Sequence, residues 1–303
     1  MKTSLVLATY NGEEYVVEQL DSIRLQNRKI DEVIICDDRS TDNTYQIITD
    51  YIKQYKLTNW FIEINENNLG YATNFTKMLK KVSGDIIFLA DQDDIWEKDK
   101  IEIMAKIMEK NSNILLLASN LIPLYMSEDA PRLNYEKFCN KDKLIKIGFN
   151  GRWIKPIRPG CSFAIRRELL KEYANIWNKE LPHDCILWNI SSLMDKSYLL
   201  NIPTMKYRRH SANASNLGNK NVNYRIKCID EELEIMNIVL EKISLDTYKR
   251  NFIEKQKDLY EKRKKVLKNR KILKCFSLLP LIKYYGRKRF WLTDLYYCIK
   301  GGK

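Results

Sequence analysis

Three aspartates within four residues follow an apolar run in the first third of the chain. Asp91, Asp93 and Asp94 come directly after the apolar residues 86–90. Crowded carboxylates repel one another, and their burial is costly unless a cation balances them. A hard divalent cation such as Mg²⁺ or Mn²⁺ binds carboxylate oxygens and often adds substrate phosphates. The run therefore predicts a metal site that handles phosphate, although an acidic loop that caps the next helix would use the same residues.

Polar residues also follow two other apolar runs. Asp37 and Asp38 follow residues 32–36, and Tyr10 comes shortly after residues 4–8. A carboxylate at such a place can accept hydrogen bonds from a nucleobase N–H or a ribose hydroxyl. A tyrosine ring can stack on a base. Helix capping by the aspartates and simple packing of the tyrosine are the alternatives.

Strand-like and helix-like patterns alternate along residues 1–120 and would bring these side chains together. Short β-branched runs separated by amphipathic segments predict a mostly parallel, doubly wound α/β sheet. The carboxyl ends of parallel strands share one edge, where ligands of such folds bind. The predicted strands are Ser4–Ala8, Glu32–Cys36, Phe61–Asn65, Asp85–Ala90 and Ile114–Ser119.

The later part of the chain is predicted to be mixed and then helical. Strands are predicted at Ser162–Ile165, Tyr198–Ile202 and Met205–Arg209, and helices at Glu168–Trp177, Asp184–Met194, Tyr224–Leu240 and Thr247–Leu273. Residues 213–223 have the composition of a loop. We therefore expect a first domain over residues 1–218, with halves 1–120 and 121–218, and a helical C-terminal extension over 219–303.

The positive charge of the chain is concentrated near its C-terminus. Residues 261–303 hold 14 Lys or Arg and 2 acids, a net of +12 out of the +13 of the whole chain. Tyr, Phe and Trp lie among these basic residues, which favours contact with an anionic membrane surface. A solvated helix is the alternative. Nucleic acid is not an expected partner, because no nucleic-acid-binding motif accompanies the charge.

The cysteines and the N-terminus favour a cytoplasmic protein. The 7 cysteines are scattered without a C-x-x-C pair, which predicts reduced thiols rather than a disulfide framework or a zinc site. The N-terminus begins in a strand pattern and not in a signal peptide. A composition of 45% hydrophobic and 30% charged residues is typical of a globular chain.

Four ordered motifs resemble the family 2 glycosyltransferases of the GT-A fold. They are Ala8-Thr9-Tyr10-Asn11-Gly12, Asp37-Asp38-Arg39-Ser40-Thr41-Asp42, Asn68-Leu69-Gly70 with Asn74-Phe75, and Asp91-Gln92-Asp93-Asp94-Ile95-Trp96. Their order and spacing match across roughly residues 1–210. The last motif resembles the rhamnosyltransferase subgroup of bacterial surface polysaccharide synthesis. One departure is Arg39, where glycine is common in the family.

The resemblance implies a donor site in the first half of the chain. It assigns the nucleotide-sugar to Thr9, Tyr10, Asn11, Asp38, Asn68, Gly70, Asn74 and Asp91, together with Arg208 and His210 of the second half. It assigns Mn²⁺ or Mg²⁺ to Asp91, Asp93 and His210, with Asp93 as the direct ligand. Arg208-Arg209-His210 resembles an Arg-Gln-His segment of the family, and a solvated basic strand end is the alternative for it.

In the second half the resemblance implies the acceptor side. The general base would be Asp184, which opens a helix after Pro182, with a purely capping role as the alternative. The residue before it is His183, where the family often has Glu, and similar His-Asp pairs occur in the rhamnosyltransferase-like subgroup. The acceptor is assigned to Gly160, Cys161, Ser162, His183 and Trp96. Gly160 would permit a close approach of the backbone, and Cys161 would serve in packing and not as a nucleophile.

The implied enzyme is an inverting transferase that moves a sugar from a nucleotide diphosphate to a glycan or lipid-linked oligosaccharide. Rhamnose from dTDP-rhamnose is the first expectation, and galactose or another hexose from a UDP-sugar is the second. The product would belong to capsule, O-antigen or a related polysaccharide, made at the inner face of the cytoplasmic membrane. A sugar nucleotidyltransferase would instead show a Gly-rich phosphate loop after the first strand, and a non-catalytic scaffold would not keep Asp93, Asp184 and His210 together.

Overall fold

The apolar runs of the first half form the parallel part of one nine-stranded sheet in a computed structural model, which describes residues 1–128, 130, 132–133, 143–210 and 221–300. The strand order is β3-β2-β1-β4-β8-β6-β9-β5, and β7 pairs with β9. The strands are β1 (Thr3–Thr9), β2 (Glu32–Asp37), β3 (Trp60–Ile64), β4 (Ile86–Asp91), β5 (Ile95–Trp96), β6 (Leu116–Tyr125), β7 (Leu144–Lys146), β8 (Phe163–Arg166) and β9 (Ser197–Arg209).

Parallel pairing dominates the half of the sheet formed by the first four strands. Strands β3, β2, β1 and β4 are parallel to one another, and β6 is parallel to β9. Strand β8 lies antiparallel between β4 and β6, and β5 and β7 pair antiparallel with β9. The predicted α/β class with a mostly parallel sheet is confirmed, and β5 and β7 are additions that were too short to show a period.

Helices follow most strands, and their apolar stripes cover the sheet. Those of the sheet unit are α1 (Val16–Arg24), α2 (Thr44–Gln54), α3 (Tyr71–Leu79), α4 (Lys100–Lys110), α5 (Leu169–Ile176) and α6 (His183–Leu193). Leu5 and Phe88 of the sheet, Leu20 of α1 and Met104 of α4 are fully buried in one core. Burial of such side chains stabilises the fold by about 1.5–3 kcal/mol each.

Two predicted strands are one strand in the structure. The residues expected to form separate strands before and after Pro203 form the continuous β9. Pro203 lies opposite Asn120, where the register between β6 and β9 shifts. A proline has no N–H to donate to a regular ladder, and the irregular pairing at this point allows β9 to continue through Pro203.

The chain divides into two compact units. The sheet unit comprises Met1–Gly148 and Ile157–Ala214, and the helical unit comprises Phe149–Pro156 and Ser215–Lys303. The sequence-based boundary at residue 218 did not include the short segment 149–156 in the second unit. Trp153 explains why this segment belongs to the helical unit, because its buried indole Nε1 donates to Gln256 Oε1 of that unit at 2.7 Å.

The helical unit contains α7 (Val222–Lys242), α8 (Thr247–Lys268), α9 (Ile272–Phe276) and α10 (Arg289–Lys300). Helix α8 was predicted to continue to residue 273, but it ends before Arg270, whose φ of +50° is incompatible with a continuing helix. Arg263 and Asp294 form a fully buried ion pair at 2.6 Å in this unit. No described helix combines the length and the apolar character needed to cross a bilayer. Most of the predicted loop 213–223 lies outside the described residues.

His183, at the start of α6, is packed against α3. Its ring stacks on Phe75 with 3.9 Å between centroids, and Tyr71 meets it edge-on at 6.2 Å. The residue is 5% exposed, and neither ring nitrogen has a hydrogen-bond partner among the described residues. Burial therefore lowers the pKa of His183 to about 4. The prediction that His183 contacts an acceptor is wrong, because a buried neutral ring that joins two helices offers nothing to a ligand.

His183 should make the stability of the protein depend on pH. Its folded pKa lies below the unfolded value of 6.5, so its contribution is complete above pH 6.5 and is lost as pH falls towards about 4. We expect the loss to reach about 3 kcal/mol. The measurement is urea unfolding of wild type and His183→Phe between these pH values. The difference in unfolding free energy should change with pH, and identical pH slopes would contradict a neutral buried histidine.

Candidate active site

The register of the parallel strands brings the predicted polar residues to one edge of the sheet. Thr9 of β1 lies beside Asp37 of β2, and Ala8 lies beside Asp91 of β4. The loops that leave these strands therefore start side by side. This is the edge at which an open α/β sheet binds ligands.

Asp37 fixes the loop after β2 and does not reach a ligand. Its carboxylate is buried and accepts hydrogen bonds from Thr9 Oγ1 at 2.8 Å, from Ser40 N at 2.8 Å and from Ser40 Oγ at 2.7 Å. The loop turns through Arg39, whose φ is +67°. Glycine adopts this left-handed conformation without strain. The backbone thus explains why a glycine is common where this chain has an exposed arginine.

Asp38 holds the turn that precedes α3. It is 3% exposed, and it accepts from the backbone N–H groups of Leu69 and Gly70 at 2.8 Å each and from Asn65 Nδ2 at 2.8 Å. Gly70 has a φ of +78° and is the N-cap of α3. Asn68 Oδ1 also accepts from Gly70 N, at 3.1 Å. These bonds shape the turn that presents Tyr71, which is 52% exposed, at the edge.

Three residues assigned to the donor are buried supports of the site. Thr9 is 2% exposed and bonds to Asp37, and Asp38 is occupied by the turn before α3. Asn74 is 1% exposed and donates to Cys36 O at 2.9 Å while accepting from Asn65. The prediction that these three side chains contact the nucleotide is therefore corrected: they fasten the loops that face it.

Tyr10 remains available to a ligand, since its side chain is 45% exposed. Gln92 holds the backbone of this residue from both sides, accepting from Tyr10 N at 2.7 Å and donating to Tyr10 O at 2.9 Å. Asn11 joins the same loop to the next one by accepting from Thr41 N at 2.8 Å. A Cβ at Gly12 would lie 2.4 Å from Gln92, so only glycine permits this contact.

The acidic motif is divided between an inner and an outer pair. Asp91 and Asp94 are the inner pair, and their carboxylates lie within 4.8 Å of each other and of the Cys161 thiol. Burial, together with the charges of Asp93 and Asp184, raises the pKa of Asp91 to about 7. Burial and the charges of Asp93 and Asp91 raise the pKa of Asp94 well above its ordinary value. Asp94 Oδ2 has no hydrogen-bond partner among the described residues.

Asp93 and His210 form the outer pair at the edge of the sheet. Their side chains are 14% and 16% exposed, and Asp93 Oδ2 lies 2.9 Å from His210 Nε2. Tyr15 packs against the histidine ring at 5.1 Å. The two residues that were predicted from separate motifs as metal ligands therefore lie in direct contact.

Arg208 supports this outer pair and is not directed at a phosphate. It is 4% exposed, its Nε donates to Asp93 O at 2.7 Å, and its guanidinium pairs with Glu18. Its backbone N–H donates to Asp94 Oδ1 at 3.1 Å. The prediction that Arg208 binds the donor is corrected, because its charge is already used in these contacts.

A buried lysine lies behind the acidic motif. Lys100, the first residue of α4, is fully buried, and its Nζ donates to Cys161 O at 3.1 Å. Burial lowers its pKa to about 8, against the opposing charges of Cys161, Asp94 and Asp91. It lies 4.2 Å from the centroid of the Trp96 ring. Trp96 is 3% exposed, so its predicted contact with an acceptor is wrong and its ring forms part of the pocket around this ammonium.

Asp184 is brought to the acidic motif by a close packing of backbone and helix. It lies in the first turn of α6, whose N-cap is Pro182, so Asp184 is not itself the N-cap. A Cβ added at Gly160 would lie 2.8 Å from Asp184 Cβ, which means that only glycine allows α6 to approach this closely. The close approach expected at Gly160 is therefore an approach to Asp184.

The acceptor assignments of the neighbouring residues are corrected. Cys161 is 2% exposed and faces the inner aspartates, in keeping with its expected packing role. Ser162 is fully buried, and its hydroxyl donates to Pro159 O at 2.7 Å. These residues hold the turn at 159–162 in place.

The donor atoms at this edge fit a divalent metal ion. Asp91, Asp94 and Cys161 bring three possible ligand atoms within 4.8 Å of one another, and Asp93, whose charge acts on Asp91, pairs with His210. Oxygen and imidazole ligands suit Mg²⁺ or Mn²⁺. Asp91, Asp93 and His210 would hold the ion, whose charge would balance a diphosphate. Asp184 lies close enough for its charge to act on Asp91, which places a further carboxylate beside the acidic motif.

Several residues of the site were not found from the sequence. Asp94, Gln92 and Asn65 were visible as polar residues, but their inward direction was not. Lys100 had a usable signal, since it occupies the same helical stripe as Met104 and Met108, at spacings of four residues, where only apolar side chains are expected. A lysine in an apolar stripe indicates either that it is buried beside groups of opposite charge or that the buried face of the helix has been assigned wrongly.

Comparison with known proteins places this geometry in a family. Residues 4–174 match the model of glycosyl transferase family 2. The chain is 33% identical over 220 residues to the dTDP-rhamnosyl transferase RfbG of Shigella flexneri, covering 68% of this chain and 72% of the relative.

Solved structures share the fold at lower identity. Staphylococcus aureus TarS 1–349 in complex with UDP-GlcNAc superposes with a TM-score of 0.67 at 20% identity, covering 86% of this chain and 72% of TarS 1–349. The mannosyltransferase PcManGT of Pyrobaculum calidifontis, in complex with GDP-Man and Mn²⁺, gives a TM-score of 0.58 at 16% identity, covering 98% and 85%. The chain belongs to glycosyl transferase family 2 and is a glycosyltransferase of the GT-A fold that uses a nucleotide-sugar donor.

Proposed function

We propose that this enzyme transfers rhamnose from dTDP-rhamnose to a hydroxyl of a glycan acceptor, with inversion at the anomeric carbon. The observation that carries the reaction is the position of Asp184, a carboxylate held by Gly160 beside the acidic motif at the ligand-binding edge. The donor is suggested by the dTDP-rhamnosyl transferase RfbG, which this chain matches over 72% of its length.

In this proposal Asp184 accepts the proton of the acceptor hydroxyl. The acceptor oxygen attacks the anomeric carbon from the face opposite the diphosphate, and the bond between that carbon and the diphosphate oxygen breaks. A divalent metal ion held by Asp91, Asp93 and His210 would neutralise the leaving diphosphate. Tyr10 and Tyr71 offer exposed rings to the nucleobase of the donor. Asn11, Asn68 and Gly70 belong to the two loops around it.

A UDP-sugar, carrying galactose or another hexose, is the second candidate donor. It is favoured by the structural similarity to TarS, which was solved with UDP-GlcNAc.

We also propose that the helical unit binds the inner face of the cytoplasmic membrane, where a lipid-linked acceptor for capsule or O-antigen synthesis would lie. An apolar patch on this unit is exposed, with Leu273 at 85%, Phe276 at 47%, Ile272 at 41% and Leu279 at 38%. It is interspersed with Lys271 and Lys274. Apolar side chains combined with basic residues suit an anionic bilayer.

The donor is tested by thermal unfolding with Mn²⁺ and dTDP, UDP or GDP, with and without chelator. A nucleotide at 100 times its dissociation constant should stabilise the folded protein by about 2.7 kcal/mol. We expect the largest metal-dependent shift with dTDP. A shift with UDP alone would replace rhamnose by the second candidate, and no shift with any nucleotide would overturn the donor site.

The role of Asp184 is tested by Asp184→Asn, which keeps the size of the side chain and removes the base. We expect kcat to fall by about 10²–10⁴-fold, since a positioned general base contributes this much. The thermal shift with nucleotide and Mn²⁺ should stay at the wild-type value. The matched control is Glu180→Gln, an exposed acid in the loop before α6, which should leave kcat unchanged. An Asp184→Asn enzyme with wild-type kcat would refute the assignment.

Membrane contact is tested by co-sedimentation with vesicles of phosphatidylcholine, with and without phosphatidylglycerol. We expect binding only to the anionic vesicles, weakened by high salt and by Leu273→Asp. The control is Phe61→Asp, which changes a 57% exposed side chain on β3 of the sheet unit and should not alter binding. Equal sedimentation of wild type and Leu273→Asp would show that the patch does not meet the bilayer.

A further inference from the structure

The contacts of Lys100 leave much of its charge without a direct partner of opposite sign. Its Nζ makes one hydrogen bond to the carbonyl of Cys161 and a 3.4 Å contact with Met205 Sδ, besides its position over the Trp96 ring. An ammonium has three donors. The residue also opens α4, where the positive end of the helix dipole disfavours a cation.

Nearby carboxylates account for the burial of this cation. The charges of Asp94 and Asp91 act on Lys100. The carboxylates of these two residues lie near the Cys161 thiol, and the backbone carbonyl of Cys161 accepts the hydrogen bond from Lys100. The outer faces of the motif are held by Arg208, whose charge is taken by Glu18, and by His210 beside Asp93. Lys100 is therefore a fully buried cation whose charge acts on both inner carboxylates.

We propose that Lys100 is a positioning residue that sets the charge balance of the metal site, weakening the binding of a free divalent cation and favouring the entry of a diphosphate. This inference rests on the proposed metal role of Asp91 and Asp93. A unit charge fixed close to the site repels a metal ion and attracts a phosphate, and both effects are strong where water is excluded. When a metal ion and a diphosphate bind together, the repulsion of the metal is offset by the attraction of the diphosphate. The two ligands should therefore bind to the site as a pair.

This proposal predicts opposite changes for two ligands when the charge is removed. Lys100→Gln retains a hydrogen-bond donor for Cys161 O, and Lys100→Met retains the length of the side chain. In both variants the affinity for Mn²⁺ alone should rise by at least about tenfold, because one nearby positive charge has been lost. The affinity for dTDP or UDP in the presence of chelator should fall. A general loss of structure would weaken both ligands together.

The experiment is a titration of the full chain with Mn²⁺, followed by electron paramagnetic resonance of the free ion, and a separate calorimetric titration with each nucleotide. Lys106→Gln is the matched control, since it removes the same charge from an exposed position of the same helix. Its two affinities should equal those of wild type. Either of the two Lys100 variants suffices if the other does not fold.

Each outcome decides the proposal. Tighter Mn²⁺ and weaker nucleotide binding in a Lys100 variant support it. Unchanged affinities, or a loss of both, would overturn the role of Lys100 while leaving the metal role of the aspartates intact. Failure of wild type to bind Mn²⁺ even with nucleotide present would overturn the metal role, and this inference with it.

Discussion

The arrangement of the site depends on carboxylates that are removed from water at the end of β4. Asp91 and Asp94 face inward, and their burial is unfavourable unless positive charge compensates it. Lys100, behind the pair, supplies part of that charge. In our proposal a divalent ion beside Asp93 and His210 would supply the rest. The electrostatic constraint that destabilises this edge would then favour the binding of a metal diphosphate.

The loops around the site are held by buried polar side chains, which leaves the exposed ones free for ligand. Asp37 and Asp38 use their carboxylates on the backbone of neighbouring turns, and Gln92 does the same for Tyr10. Each of these hydrogen bonds satisfies a backbone polar group that would otherwise need a water molecule as its partner. Asp184 depends instead on the missing side chain of Gly160. The exposed ring of Tyr10 and the carboxylate of Asp184 are thus positioned by contacts with the residues around them.

The sequence predicted the sheet well, because the sheet follows from periodicity, and the ends of its parallel strands bring the predicted polar residues to one edge. It predicted the direction of individual side chains poorly. Thr9 and Asn74 have types that suit either a ligand contact or a backbone support, and only the register and the burial distinguish the two. Trp96 was misjudged and Lys100 missed because Trp96 lies in a two-residue strand and Lys100 opens the next helix, so the contact between them follows from the turn that joins the two elements. Helix α8 was overextended because its charged residues continue beyond Arg270, where the backbone turns.

The most direct test of the charge constraint is thermal unfolding of wild type and Asp91→Asn, each in chelator and in Mn²⁺, at neutral pH. Removing one desolvated charge should make the chelated variant more stable than chelated wild type, by on the order of 2 kcal/mol. It should also abolish the stabilisation that Mn²⁺ gives to wild type. A variant that is less stable in chelator and still gains stability from Mn²⁺ would contradict the account.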